Sequence, residues 1–473
     1  MRLPVRFWIM TNLSKDMTPT LEVMNLQCRT NPSMANMTPS LGLDDEKASA
    51  VLTDPFEVVL WFGCITLNAG GPAFRVREWM EELARKMRFD ALSVSFTLNG
   101  IIASVHRGSE RATLMREIEP PGVNSWKIGE LERLAHAVRP GQSSKEVALK
   151  ISKIEATPPR YSTAQTAAAM GAACGAFAFL NGGGGLEVLA AGIGGAGGQW
   201  LRSLLLSRTQ INHFGITTLC AIAASGIYAL IAIVSTHIGL SNVRHTAGLI
   251  SSVLFLLPGF PLVAALLDLL KYQTLVAVTR FAHSAMILLA AIFGLSFVVA
   301  VIGFDVSPPP TPTLELSEPV KLLLRAIASF AGGCGFAILY NSSSRAVFAV
   351  GLLALGANEL RLALHDAGMM LAPATFLGAL AVGLVASIAH RPLKEPRIAI
   401  TVPSIIIMVP GLYAVEMIVL FNQGHMLDSL QAAASFSFVI GGMAMGLAVA
   451  RLISERVPGS MSHSSRGQRT SPL

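Results

Sequence analysis

The sequence predicts an α-helical polytopic membrane protein with an N-terminal soluble α+β domain and about ten transmembrane helices, in two inverted five-helix repeats. Three observations carry that prediction. Only 14% of the 473 residues are charged while 52% are hydrophobic, with a mean hydropathy of +0.55; soluble domains carry about 25% charged residues. After residue 160, apolar runs of about 18–25 residues follow one another, the length a helix needs to cross a hydrocarbon core of about 30 Å. Short motifs also recur in the same order across two sets of five runs. Inside lipid each run must satisfy its own backbone hydrogen bonds, so the runs read as helices.

Residues 1–54 are rich in Met, Thr, Asn and Pro without periodicity and read as a disordered leader. Its basic-then-apolar start is too short and interrupted for a signal peptide. Residues 55–159 read as a cytoplasmic α+β domain. Phe56 to Asn68 forms an apolar helix, and Phe74 to Met87 an amphipathic one with Trp79, Leu83 and Met87 on one face. Leu92, Val94, Phe96 and Leu98 alternate with polar residues, the pattern of a strand with one buried face. Asn99-Gly100 then signals a hairpin turn into Ile101 to Val105. A third strand is expected over Ala112 to Ile118, and helices over Ile128 to Val138 and Ser144 to Glu155.

The spans fall roughly at 163–180, 186–206, 215–236, 246–267 and 274–302 in a first membrane half, residues 160–303. Beyond an external proline-rich linker, 304–318, they resume roughly at 319–340, 346–364, 370–389, 398–420 and 431–452 in a second half, residues 319–452. A disordered cytoplasmic tail, 453–473, closes the chain. Connections on one side carry Arg202, Arg208, Lys271, Arg280, Arg345 and Arg391-Pro-Leu-Lys-Glu-Pro-Arg397. Those on the other, Asn181 to Glu187, Asp305 to Glu318 and Phe421 to Asp428, carry neither Lys nor Arg; Arg244 and Arg361 are the exceptions. This bias places both termini in the cytoplasm. It also accounts for the net charge of +7, since no basic stripe interleaved with aromatics marks a nucleic-acid surface.

Between the two sets, Cys174-Gly175 and Asn181 match Cys334-Gly335 and Asn341, and Gln199-Trp-Leu-Arg202 matches Asn358-Glu-Leu-Arg361. Thr218 with Gly226 matches Thr375 with Gly383. The fourth span of each set holds an apolar Pro-Gly, at Pro258-Gly259-Phe-Pro261 and Pro410-Gly411. Because five is odd, the second copy must enter from the opposite side, the inverted arrangement of secondary transporters. Proline strands a carbonyl and glycine lets the chain leave helical geometry. Matched breaks at mid-membrane therefore point to a substrate site, the alternative being two ordinary kinks.

Ionisable groups in the spans are few. Glu416, close behind Pro410-Gly411, and Asp268, about three turns beyond Pro258-Gly259, are candidates to take a proton or a substrate ammonium. Asp268 can equally be an interfacial residue beside Lys271. Glu187 and Glu359 are lesser candidates near span ends, and Asn181 and Asn341 suit helix caps or solute contacts. Gly192 to Gly198 is a packing stripe, without the Gly-Lys-Ser/Thr ending of a phosphate loop. The ten histidines form no metal spacing, and His283 reads as a packed polar group or a proton relay. The five cysteines form no CxxC. No catalytic constellation appears in the soluble domain. No cofactor, metal or catalytic residue is expected; the partners expected are a small solute, lipid, protons and, as an open option, further copies of the chain. A membrane-anchored enzyme with a hydrolytic N-terminal domain is the rival reading, and ten spans are more than an anchor needs.

Several runs resemble the threonine/serine exporter family: Arg75-Val-Arg-Glu78, Gly100-Ile-Ile-Ala-Ser104, Pro120-Pro-Gly-Val-Asn124 and Leu256-Leu-Pro-Gly-Phe-Pro261 through Asp268. In the second half Asn341, Ala374-Thr-Phe376, Val402-Pro-Ser-Ile405 and Val409-Pro-Gly-Leu412 look like the small partner half, here fused. The resemblance implies proton-driven export of threonine and serine across the bacterial plasma membrane. Split relatives imply dicarboxylates as the alternative cargo. Ala69-Gly-Gly-Pro-Ala73 departs from the polar lead-in the family would have, so no catalytic role is carried over.

Overall fold

A computed structural model describes residues 54–97, 100–118, 122–208, 211–239, 246–303 and 317–456. The expected disordered leader up to residue 53, the Leu98-Asn99 turn, Pro120-Pro121, Arg244, the linker over 304–316 and the tail from 457 lie outside the described residues.

Helix α1 (Pro55–Asn68) starts where Asp54 accepts a bond from the Phe56 N–H and Pro55 takes a position that needs no donor. Helix α2 (Ala73–Lys86) buries Trp79 and Leu83, with Met87 just past its end, as the four-residue spacing requires. Strands β1 (Ala91–Phe96), β2 (Gly100–Arg107) and β3 (Glu110–Glu117) form an antiparallel meander. Its register pairs Val94 with Ala103 and Phe96 with Ile101. These four and Val105 are buried, and β2 and β3 both contact α1. Helices α3 (Ser125–Ala137) and α4 (Ser144–Ala156) close the other side of α1.

The helical part begins with α5 (Thr163–Leu180), whose start is fixed by a capping box between Ser162 and Gln165. Then come α6 (Gly185–Arg208), α7 (His213–His237), α8 (Thr246–Ser252), a 3₁₀ turn (Leu254–Leu256), α9 (Gly259–Leu270) and α10 (Thr274–Ile302). Next are α11 (Glu318–Leu339), α12 (Ser344–Asp366), α13 (Leu371–Leu393), α14 (Arg397–Ile406), α15 (Gly411–Asn422) and α16 (Met426–Arg456). Among the described residues seven helices are long and apolar enough to cross a membrane, or eight if the bent pair α14–α15 is one span. Two of the ten expected spans are not in that number. Six glycines from Gly185 to Gly198, with Gln199 and Arg202, dilute the apolarity of α6. The fourth expected run, 246–267, is not one helix but α8, a 3₁₀ turn and α9. Lipid-facing stripes are plain on α10, where Phe293, Phe297 and Val301 recur at helical spacing and are more than half exposed.

The two breaks share one geometry. Pro258 (φ −81°, ψ 54°) and Pro410 (φ −80°, ψ 65°) each form an inverse γ-turn. Gly259 N–H reaches Leu257 O and Gly411 N–H reaches Val409 O, both at 2.8 Å. The chain then restarts as a helix, bent by 50° in the second case. Neighbours also correspond: α5 packs on α6, α6 on α7 and α7 on α10, as α11 packs on α12, α12 on α13 and α13 on α16. Helix α5 also packs on α11.

Candidate substrate site

The two breaks meet. A Cβ on Gly411 would lie 2.6 Å from Leu254 Cδ1 and 2.9 Å from Leu257 Cδ1, both on the run into Pro258. A Cβ on Gly259 would lie 3.4–3.5 Å from Ile406 and Val409, on the run into Pro410. Pro258, Gly259, Pro410 and Gly411 are all buried, and Pro261 is half-buried in the first turn of α9. Glycines let other helices come close: Gly198 of α6 faces the Phe255 ring, and Gly332 of α11 faces Ile407.

Polar groups surround this crossing. Ser252 and Ser404, each six residues before its break proline, are fully buried. Each returns its hydroxyl to a helix carbonyl, Leu249 O and Ile400 O. Arg361 of α12 donates from Nη1 to Met408 O, just ahead of the second break, at 3.4 Å. Past the break, Tyr413 and Glu416 are half-buried, and Tyr413 stands in the electrostatic field of both Glu416 and Arg361. Asn358, one turn before Arg361, is fully buried and donates to Ser329 Oγ on α11 at 2.8 Å. On α6, Gln199 is buried and Arg202 lies in the field of Cys220 and Tyr340.

The other residues singled out from sequence sit elsewhere. Asp268 is completely buried near the end of α9, and its Oδ2 accepts from Arg280 Nη1 at 2.8 Å. Its Oδ1 faces the Phe74 N–H at 3.5 Å, at the start of α2, where a carboxylate complements the helix dipole. Arg280 Nη2 donates to Gly71 O at 2.6 Å, so the pair anchors the α+β domain to the first membrane half. It is thus neither beside the crossing nor an exposed interfacial residue. Glu187 caps its own helix through the Gly184 N–H, and Glu359 lies in the field of Arg325 and Asp366.

Asn341 and Asn181 turn out not to be equivalent. Asn341 takes a left-handed φ of 56° just past the end of α11. Its Oδ1 accepts from Arg160 N at 2.8 Å, and its Nδ2 donates to Asn124 Oδ1 at 3.1 Å. Asn181 caps α5 with φ −90°, and the left-handed position passes to Gly182. The helix ends therefore pair Asn181 with Tyr340, one residue away from the pairing that the Cys-Gly motifs suggest. Asn341→Gly removes two hydrogen bonds, and Asn341→Ala adds a left-handed penalty of about 1–2 kcal/mol. The melting temperature of the detergent-solubilised protein is expected to fall in that order; equal loss in both variants would remove the backbone argument.

Sequence comparison agrees with this helical framework. The family model described as "Putative threonine/serine exporter" matches residues 57–302, and "Threonine/Serine exporter, ThrE" matches residues 325–453. The chain is 26% identical over 245 residues to "Probable succinate transporter subunit YjjP" of Escherichia coli (strain K12), covering 51% of this chain and 92% of that protein. It is 23% identical over 432 residues to "Probable threonine/serine exporter" of Mycobacterium tuberculosis, covering 86% of this chain and 77% of that protein. No solved structure matches.

Proposed function

Because the chain belongs to the threonine/serine exporter family, we propose that it is a secondary transporter exporting a small carboxylate-bearing metabolite, threonine or serine first, across the bacterial plasma membrane. The observation that carries this reading is the face-to-face seating of two Pro-Gly breaks of the same geometry. Freed carbonyls and loosened helices are tolerated in a bilayer where they serve a bound solute or a moving joint. The matched neighbour pattern of α5–α10 and α11–α16 supports two inverted five-element halves, ten crossings in all when α6 and each broken pair count as spans. Both family models fall on one chain, so the fused halves supply both sides of the crossing. Loop charges favour cytoplasmic termini and a cytoplasmic α+β domain.

Glu416 is the proton-coupling group of this proposal. It is half-buried, five residues past the Gly411 break, and stands in electrostatic reach of Tyr413. Asp268 is already committed to Arg280 and has the structural task. Glu416→Gln is expected to abolish the dependence of efflux on an imposed pH gradient while leaving membrane insertion intact. Cells loaded with threonine- or serine-containing dipeptides, with and without the protein, supply the assay. Efflux from the variant that still follows the gradient would sink the assignment.

Succinate or a similar dicarboxylate is the second cargo in this proposal, favoured by the name of the E. coli relative. Release of succinate but not of threonine or serine from loaded cells would decide for it.

A further inference from the structure

One position on α6, Gln199, and two on α12, Asn358 and Arg361, carry groups that the packing leaves incomplete. Asn358 has no exposed surface, and Gln199 is 5% exposed. The Asn358 amide nitrogen is used by Ser329, and that of Gln199 reaches Ser203 Oγ at 3.4 Å. Asn358 Oδ1, Gln199 Oε1 and Arg361 Nε have no hydrogen-bond partner among the described residues. Turning either amide exchanges which atom is left over and does not remove the deficit. A purely structural buried amide is normally satisfied at both ends.

The two sites are also related. Gln199 and Asn358 are 159 residues apart, as are Arg202 and Arg361, and so are the ends of α5 and α11 at Leu180 and Leu339. In each case the arginine follows the amide by three residues, which places both on one helix face. Each pair borders one break. Gly198, next to Gln199, faces Phe255 in the 3₁₀ turn before Pro258. Arg361 holds Met408 O before Pro410.

We propose that Gln199 with Arg202, and Asn358 with Arg361, are two carboxylate-binding half-sites, one at each break. The guanidinium takes the carboxylate of the solute, and the amide takes the polar substituent beside it. Arginine suits this because its planar fork matches a carboxylate and its charge cannot be lost at working pH. In inverted halves the two half-sites lie on opposite sides of the crossing, so a solute leaving one finds the same chemistry at the next. The inference rests on the exporter reading above and specifies which group of the cargo is recognised. A carboxylate is common to an amino acid and a dicarboxylate, so the half-sites serve either.

The test uses the full chain reconstituted in proteoliposomes, with labelled L-threonine and labelled succinate as separate cargoes. L-Threonine amide and succinamide, which lack the carboxylates, are the competitors. The wild type should carry at least one acid, and its amide should compete about tenfold or more weakly, as loss of a charge-assisted bond predicts. Arg202→Gln and Arg361→Gln should each erase that preference. Arg202→Lys and Arg361→Lys, which keep the charge without the fork, should raise the half-saturating concentration and replace any glutamine variant that fails to assemble. Transport of an acid with the preference intact in the glutamine variants, or with unchanged half-saturation in lysine variants standing in for them, overturns the half-sites and leaves the exporter reading in place. Transport of neither acid by the wild type overturns the exporter reading, and the half-sites with it.

Discussion

Arg280→Met is expected to lower the stability of the protein by about 3–5 kcal/mol, the usual cost of removing one partner from a buried ion pair. The reason lies in what Arg280 leaves behind. Asp268, with no exposed surface, would keep a buried charge without its counter-ion. Gly71 O would lose its donor in the same step. Both groups belong to the seam between α2 and the α9–α10 hairpin, which Arg77 also bridges through Gln273 at 3.1 Å. The variant should therefore melt earlier in detergent and be cut earlier by protease in the connection over 157–162. Asp268→Leu combined with Arg280→Met should recover much of the loss, since an apolar pair of similar volume can replace a buried ion pair at little cost. Singles that melt with the wild type would show that the pair is not an anchor.

That seam marks the boundary of what could be read from the chain. Helix periodicity and the alternation of Val94 and Phe96 are local signals, and the corresponding elements stand within a few residues of their expected bounds. The Asp268–Arg280 pair spans only 12 positions, and the short turn between α9 and α10 makes it findable from sequence. Its contacts with Gly71 and Phe74 span 209 and 194 positions and depend on how α2 docks, which no local rule encodes. The same holds for Asn341 and Asn124, 217 positions apart. Of the residues expected to line the site, the Pro-Gly breaks and Glu416 lie in one region, whereas Asp268 and Asn341 serve the junction with the α+β domain. Arg202 and Arg361 were visible as repeat marks, and Arg361 as an exception to the loop-charge bias. The signal that could have placed Arg361 was that exception: an arginine in an apolar helix needs a partner or a task.

Gly411→Leu is expected to cut transport by about tenfold or more while the protein still inserts and folds, because it fills the contact between the two breaks. Even one added methyl would fall 2.6 Å from Leu254 Cδ1, and neither Leu254 nor Leu257 has open space to retreat into, at 4% and 8% exposure. Interiors packed to this density do not absorb such an addition without shifting side chains or backbone, at a cost of about 1–3 kcal/mol. Because the breaks would have to slide past each other when the halves rock, the same displacement acts on flux as well as on stability. The partner glycine behaves differently. A Cβ on Gly259 would rest at 3.4–3.5 Å from Ile406 and Val409, within ordinary van der Waals contact. Gly259→Ala should therefore transport close to the wild-type rate, while Gly411→Ala loses several-fold, although the two Pro-Gly motifs look interchangeable in sequence. Parallel flux and melting measurements on the two alanine variants decide the matter. Equal losses would mean that helix restart after proline, and not the clearance at Gly411, is what the glycines protect.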